Sequence, residues 1–306
     1  MAELRGRKRR PRVIVQICGG LGNQLFCYAA ARRLAYVNDA ELVLDDVTGF
    51  ALDHVHRRSF LLPHFKVVGR SASSNERCEP FGRWRRGLRR YLAQRRSFER
   101  RRYLVQQGVD FDPRLLEVRV SDSVYIEGYW QSEGYFKDIG GLIREEIRLA
   151  TPPDEGNRAM SERMHACDSV AVHVRWFNAP AARDQTYNLP REYYRRALDR
   201  LEGTHATPSY FVFSDNLSAT RELGVFPNAR TTYVDVNRRG SSHMDLWLMS
   251  QCRHFIIANS TFSWWGAWLA TSPGKTVIAP SCKLDGVTAW GFAGLVPPEW
   301  IQVGAE

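Results

Sequence analysis

Short apolar runs recur along the chain at 13–17, 41–44, 123–128, 169–175, 209–213, 232–236, 255–258 and 275–279. Each has the length of a strand, and most are continuous rather than alternating, as in strands buried on both faces of a parallel sheet. Segments of helical composition and spacing lie between them, at 25–35, 139–149, 191–202, 244–252 and 262–270. Strand and helix therefore alternate, which predicts an α/β protein with parallel, doubly wound sheets. Residues 47–107 break the pattern, with a loop at 71–79 and an arginine-rich tract at 83–102.

Polar residues collect where strands end. Gly19, Gly20, Leu21, Gly22, Asn23 and Gln24 follow the first strand. Glycines there let something approach the backbone closely. The spacing is not the G-x-G-x-x-G of a dinucleotide site, which disfavours a dehydrogenase, and Asn23 and Gln24 suggest side chains aimed into a cleft. Arg175 ends the strand at 169–175, where its forked donors would suit a phosphate group. Ser214, Asp215 and Asn216 end the next strand. Asn259, Ser260, Thr261 and Ser263 crowd the turn before the helix at 262–270, where the helix amino end favours an anion. Capping alone explains one or two of those hydroxyls.

Length and composition allow two domains. The chain has 306 residues, 44% of them hydrophobic. The expected division is a basic tail at 1–12, an amino-terminal domain at 13–155 and a carboxy-terminal domain at 165–306, with a linker opening at Thr151, Pro152 and Pro153. No apolar run is long enough to span a membrane, and no apolar signal segment follows the basic start. A cytosolic location is the expectation. Six scattered cysteines without a C-x-x-C pair fit reduced core residues.

Net charge is +10, and half of the residues from 83 to 102 are arginine. Such a tract suits nucleic acid, an anionic membrane face or an acidic substrate, or is a solvated helical face. Trp84, Leu88, Tyr91, Leu92 and Phe98 interleave with the arginines at the spacing of an amphipathic helix on a surface. Taken alone the tract would describe a polyanion-binding protein. The ordered polar residues at strand tips point instead to a nucleotide-sugar transferase, and nucleic acid is not an expected partner. Asp110 and Asp112 form a D-x-D pair of the kind that holds a divalent metal, but Pro113 favours a turn and helix start. No metal site is expected. Tyr129, Trp130, Gln131 and Glu133 at a strand end suit either a sugar face or packing beneath a loop.

Three stretches together resemble the bacterial α-1,2-fucosyltransferases of glycosyltransferase family 11. They are the run from Gly19 to Phe26, the triplet His173, Val174 and Arg175, and the long segment from Asp245 to Leu269. The resemblance spans about 13–302. It implies a GT-B-like fold, with two Rossmann-like domains facing across a cleft, and inverting transfer of fucose from GDP-fucose without a bound metal or other cofactor. Arg175 would hold the diphosphate as the principal catalytic group. His173, Asp215, Asn259, Ser260, Thr261, Phe262 and Ser263 would line the GDP pocket. Gly20, Gly22 and Asn23 would face the cleft from the other domain, Asn23 within reach of the chemistry. The acceptor would be a glycan hydroxyl, galactose O2 in the family. Apart from the resemblance, the arginine tract would bring the protein to the inner face of a bacterial membrane, where lipid-linked glycans are built. One departure stands out. The family continues from His-x-Arg with a second arginine and then Gly-Asp, whereas this chain has Trp176, Phe177 and Asn178. That substitution bears on linkage and donor sugar, and it removes one candidate for the general base. Asp184 and Glu133 are the remaining candidates.

Overall fold

The computed structural model describes residues 10–51, 53–54, 57–184, 186–237, 240–286 and 289–305. Most of the basic tail expected at 1–12 lies outside them. The described residues form two compact units, one up to Ile147 and one from Arg148 on.

In the amino-terminal unit the order is β1 (Arg12–Gln16), α1 (Leu21–Val37), β2 (Glu41–Asp45), β3 (Arg70–Ser71), α2 (Gly82–Gln94), β4 (Tyr103–Val105), β5 (Ser123–Glu127) and α3 (Gly140–Glu146). The strands make one parallel sheet in the order β3-β2-β1-β5-β4. Val13, Val15, Val43 and Ile126 are fully buried in it, as continuous apolar runs require. The chain winds outward from β1 to β3, then returns to the other side of β1. The switch point lies between β1 and β5, where α/β sheets open a crevice at their carboxyl edge.

The carboxy-terminal unit holds α4 (Glu155–His165), β6 (Ser169–Val174), α5 (Arg191–Glu202), β7 (Ser209–Ser214), α6 (Leu217–Glu222), β8 (Thr231–Tyr233), α7 (Ser242–Ser250), β9 (His254–Ile256), α8 (Thr261–Leu269), β10 (Val277–Ser281) and β11 (Ile301–Gly304). Its six-stranded parallel sheet runs β8-β7-β6-β9-β10-β11, which is the Rossmann order 3-2-1-4-5-6. Here the switch point lies between β6 and β9. Both units are therefore Rossmann-like, as GT-B enzymes have.

The structure departs from the sequence reading at several points. Helix α1 begins at Leu21 rather than at 25, because Gly20 takes the extended N-cap position and the whole Leu21–Gln24 stretch forms the first turn. Gln24 is not aimed into a cleft. It is fully buried, donates to the carbonyls of Gly19 and Ser59 at 2.9 Å each, and accepts from the Leu61 N–H at 2.9 Å. The division between units falls at Ile147, before the segment expected as a linker. Helix α4 packs with α7, Asp154 caps it, and Asn157 exchanges hydrogen bonds with Asn237, so these residues belong to the second unit. Strands β3, β4 and β11 have no counterpart among the apolar runs; each is an edge strand of two to four residues. Asp112 caps a 3-10 helix at Pro113–Glu117 and pairs with Arg114 at 2.6 Å, so it starts a helix.

Helix α8 is held by tryptophans. Trp264 and Trp265 are fully buried, Trp268 stacks on Trp264 with ring centres 6.1 Å apart, and the Trp264 indole donates to the Leu295 carbonyl at 2.8 Å. Gly266 lets α7 approach, since a Cβ there would meet the Met249 Cβ at 3.0 Å. This packing fixes the helix whose amino end lies at the switch point.

Candidate active site

Every strand of the carboxy-terminal sheet is parallel, so the residues after β6, β7 and β9 emerge on one edge. They are Arg175, Asp215 and the turn from Ala258 to Ser260.

Arg175 and Asp215 form an ion pair of 2.8 Å, with each side chain about a third exposed. The other Asp215 oxygen accepts the Trp176 N–H at 3.0 Å. Phe177 lies against the guanidinium, 5.3 Å from ring centre to Cζ. Two faces of Arg175 are thus occupied, which orients a fork able to meet two phosphate oxygens.

His173, on β6, is buried, and its ring lies 5.6 Å from that of Phe262 on α8. This contact closes the switch point from both sides. Burial first, and the Arg175 charge second, push the imidazole down to about pKa 3. It is therefore neutral at physiological pH, and a neutral ring can donate or accept a hydrogen bond without adding charge. Its Nδ1 has no hydrogen-bond partner among the described residues.

The turn after β9 divides its polar residues between two tasks. Ser263 is fully buried and donates to the Ser260 carbonyl at 3.1 Å, so it braces the turn from inside. Asn259 is buried and donates to the Tyr187 carbonyl at 2.9 Å, tying the 176–190 loop to this edge, while its Oδ1 has no partner among the described residues. Ser260 is the N-cap of α8, yet its side chain makes no cap bond. Ser260, Thr261 and Phe262 are half-exposed at the apex. The opening N–H groups of a nine-residue helix and an uncommitted hydroxyl therefore share one edge with Arg175.

The loop that replaces the family's charged residues is internally bonded. Asn188 Oδ1 accepts the N–H groups of Phe177 and Asn178 at 2.8 and 3.1 Å, and the Trp176 indole donates to Thr220 at 3.0 Å. Asp184 accepts from the Thr186 N–H and hydroxyl, and these bonds hold its carboxyl below the usual range, which weakens it as a base. Glu133 is buried and paired with Lys137 at 3.0 Å.

In the amino-terminal unit, the β1/β5 switch point is bridged by Gln131, whose amide donates to Asn23 Oδ1 at 2.9 Å. Asn23 also bonds Tyr129, whose burial raises its phenol to about pKa 12. Asn23, Tyr129 and Gln131 are half-exposed at this edge. Gly19 has φ +76°, and a Cβ there would meet Asn23 Nδ2 at 2.8 Å. Gly20 faces the Arg58 guanidinium more loosely, 3.9 Å from a built Cβ, and Gly22 is buried in the first turn of α1. Trp130 is fully buried against Tyr135, so of the aromatic pair it is Tyr129 that remains for a sugar. The Tyr129–Gln131 pairing with Asn23 was not read from sequence, though its signal was there: polar side chains ending the strand beside β1.

One further cluster lies at the opposite, amino edge of the second sheet. Asp168, His205 and His254 place ligand-type atoms within 4.8 Å of one another. His254 Nδ1 accepts the Thr276 N–H at 3.1 Å, so Nε2 carries the proton that it shares with Asp168 at 3.0 Å. An ion on Nε2 would take the place of that proton, which would move to Nδ1 at the expense of the Thr276 bond. The cluster as bonded is a proton-bearing tie between the starts of β6, β9 and β10.

A family model described as glycosyl transferase family 11 matches residues 85–303, from α2 to β11. An alpha-1,2-colitosyltransferase of Escherichia coli is 27% identical over 302 residues, covering 95% of this chain and 98% of its own. Galactoside alpha-(1,2)-fucosyltransferase 2 of Mus musculus is 30% identical over 304 residues, covering 94% of this chain and 77% of its own. Among solved structures, Arabidopsis thaliana FUT1 in complex with GDP superposes with a TM-score of 0.54 at 12% identity, over 94% of this chain and 73% of that one. NodZ alpha-1,6-fucosyltransferase soaked with GDP-fucose gives 0.50 at 16%, over 86% and 93%. At such identities the likeness is one of fold. With a matched segment that covers more than half of the chain, from α2 in the first unit to β11 in the second, and a relative 30% identical along nearly the whole chain, this protein belongs to glycosyl transferase family 11.

Proposed function

We propose that the protein transfers L-fucose from GDP-fucose, with inversion and without a bound metal, to a glycan hydroxyl, most simply galactose O2. The observation that carries this reading is the shared edge at the β6/β9 switch point: Arg175, neutral His173 and the uncapped start of α8. Cleavage of the sugar–phosphate bond drives negative charge onto the diphosphate, and fixed donors in a partly water-excluded site stabilise it. A guanidinium and a helix amino end supply that stabilisation directly. Asp215, Asn259, Ser260, Thr261 and Phe262 would contact the nucleotide, with Ser263 bracing the turn. Asn23, Tyr129 and Gln131 offer an acceptor sugar amide and phenol partners beside an aromatic face. Asp184 and Glu133 are each committed to local partners; in a loose transition state the acceptor hydroxyl loses its proton late, to water or to the departing diphosphate, and little base is needed.

A second reading concerns the donor. Trp176, Phe177 and Asn178 place an aromatic ring where the family pattern has charge, and Phe177 covers one side of Arg175. An apolar wall there favours a sugar with fewer hydroxyls, in keeping with the colitosyltransferase relative. The test is product linkage analysis after incubation with GDP-fucose or a GDP-dideoxyhexose and a panel of galactose-terminated acceptors. A fucosyl-α-1,2-galactose product supports the first reading, and transfer from the dideoxy donor alone supports the second. Hydrolysis or transfer with neither would overturn both.

A further inference from the structure

Helix α2 (Gly82–Gln94) has its two faces the wrong way round for a surface helix. Phe81, Trp84, Leu88, Tyr91 and Leu92 recur at three- and four-residue spacing, and all are exposed, Phe81 by 78% and Trp84 by 71%. A surface helix normally turns such a stripe toward the core. Here the opposite face grips the protein. Arg86 donates to the Arg77 carbonyl at 2.8 Å, Arg90 forks onto Glu127 at 2.7 Å and lies over Tyr103, and Ala93 joins the core of Ile14, Val43 and Tyr125. Arg83, Arg89, Arg95 and Arg96 stand exposed around the stripe. No carboxylate occurs from residue 80 to residue 98.

We propose that α2 docks this protein on the surface of an anionic phospholipid bilayer, with Phe81, Trp84, Leu88 and Leu92 in the headgroup–acyl boundary and the flanking arginines on lipid phosphates. Charge complementarity selects this occupant. A second copy of the chain would bring arginines against arginines. A nucleic acid would satisfy the arginines and leave the aliphatic stripe in water. A bilayer takes both, since apolar side chains enter the interface and each cation near an anionic surface adds its own attraction. The proposal is independent of which sugar is transferred, because none of these residues lies at either switch point.

The test is vesicle co-sedimentation of the full-length protein, with phosphatidylcholine alone and with phosphatidylglycerol added, at low and high salt. Two variants are compared with the native chain: Phe81→Ser with Trp84→Ser and Leu88→Gln, and Arg89→Ser with Arg96→Ser. All retain the basic residues ahead of Arg10, so differences report on α2. Native protein is expected to bind the anionic vesicles, to bind less at high salt, and to bind phosphatidylcholine weakly. Each variant is expected to lose about tenfold or more in apparent affinity for anionic vesicles, with circular dichroism, melting and transfer to a soluble acceptor unchanged. Equal binding to both lipids, or variants that bind as the native chain does, would overturn the proposal. So would a dimer in solution that the apolar variant dissolves, or DNA binding tighter than vesicle binding.

Discussion

The Arg175 guanidinium sits 2.8 Å from the Asp215 carboxylate, across the tips of two neighbouring parallel strands. Both side chains are about a third exposed, so the pair contributes little to stability, on the order of 0–1 kcal/mol. Its consequence is positional. Asp215 and Phe177 hold the guanidinium at the carboxyl edge of the sheet, and a diphosphate arriving there meets a donor already oriented.

Arg175→Ala is expected to lower kcat/KM by about a hundred- to a thousandfold, the usual loss for one donor to a developing oxyanion. Arg175→Lys restores charge without the fork and should recover part of the rate. Steady-state kinetics check the rate, and thermal melting should show little change in either variant.

Ser260 and Ser263, at the start of α8, should separate binding from folding. Ser263→Ala removes the hydroxyl that braces the Ser260 carbonyl and should cost about 0.5–1.5 kcal/mol of stability. Ser260→Ala breaks no cap bond, so melting should hold while the KM for the sugar donor rises. Urea unfolding with donor-saturation kinetics on both variants tests the division.

Asn23 and Gln24 make the same contrast in the first unit. Gln24→Leu leaves the Gly19 and Ser59 carbonyls and the Leu61 N–H without their partner, at about 1–3 kcal/mol for each group that water cannot reach. Asn23→Ala loses a half-exposed bond to Gln131 and should leave stability nearly intact while turnover falls. Paired melting and activity measurements decide it.

His173 gives stability a pH dependence of known sign. Its pKa is lowered in the folded protein to about 3, from an ordinary value near 6.5. Between those values the unfolded chain binds a proton that the folded protein does not. Folding therefore weakens as pH falls from about 6.5 toward 3, at up to about 1.4 kcal/mol per pH unit for this one group. His254, also lowered by burial, acts in the same direction. Unfolding free energies at several pH values for native protein and His173→Leu should show a shallower slope in the variant.

Much of this was legible in the sequence, because buried parallel strands announce themselves as continuous apolar runs. Helix α5 matches its predicted bounds, and β6, β7 and β9 lie within a residue or two of theirs. Those runs alone put Arg175, Asp215 and Ser260 at or just past strand ends. What failed is equally physical. Strands β3, β4 and β11 are too short, and too close to sheet edges, to show a period. Gln24 and Asn23 are adjacent and both amides, and only the helix geometry of α1 sends one into the core and leaves the other at the edge. The crowding of hydroxyls after β9 pointed to one edge, but composition could not tell that Ser263 turns inward while Ser260 remains uncommitted. The arginine tract forms the expected amphipathic helix only as far as Gln94; Phe98, expected on its apolar stripe, lies beyond it, buried in a 3-10 turn, and the face of the helix that meets the protein is marked by Glu127, a residue far away in sequence.

If the nucleotide's phosphates bind at the β6/β9 edge through Arg175, that side chain sets the affinity for GDP. Calorimetric titration of GDP into the native protein and into Arg175→Ala measures that dependence. Charge-assisted hydrogen bonds of about 1.5–3 kcal/mol predict affinity for GDP roughly ten- to a hundredfold weaker in the variant. Unchanged affinity for GDP, with the variant folded, would place the phosphates elsewhere.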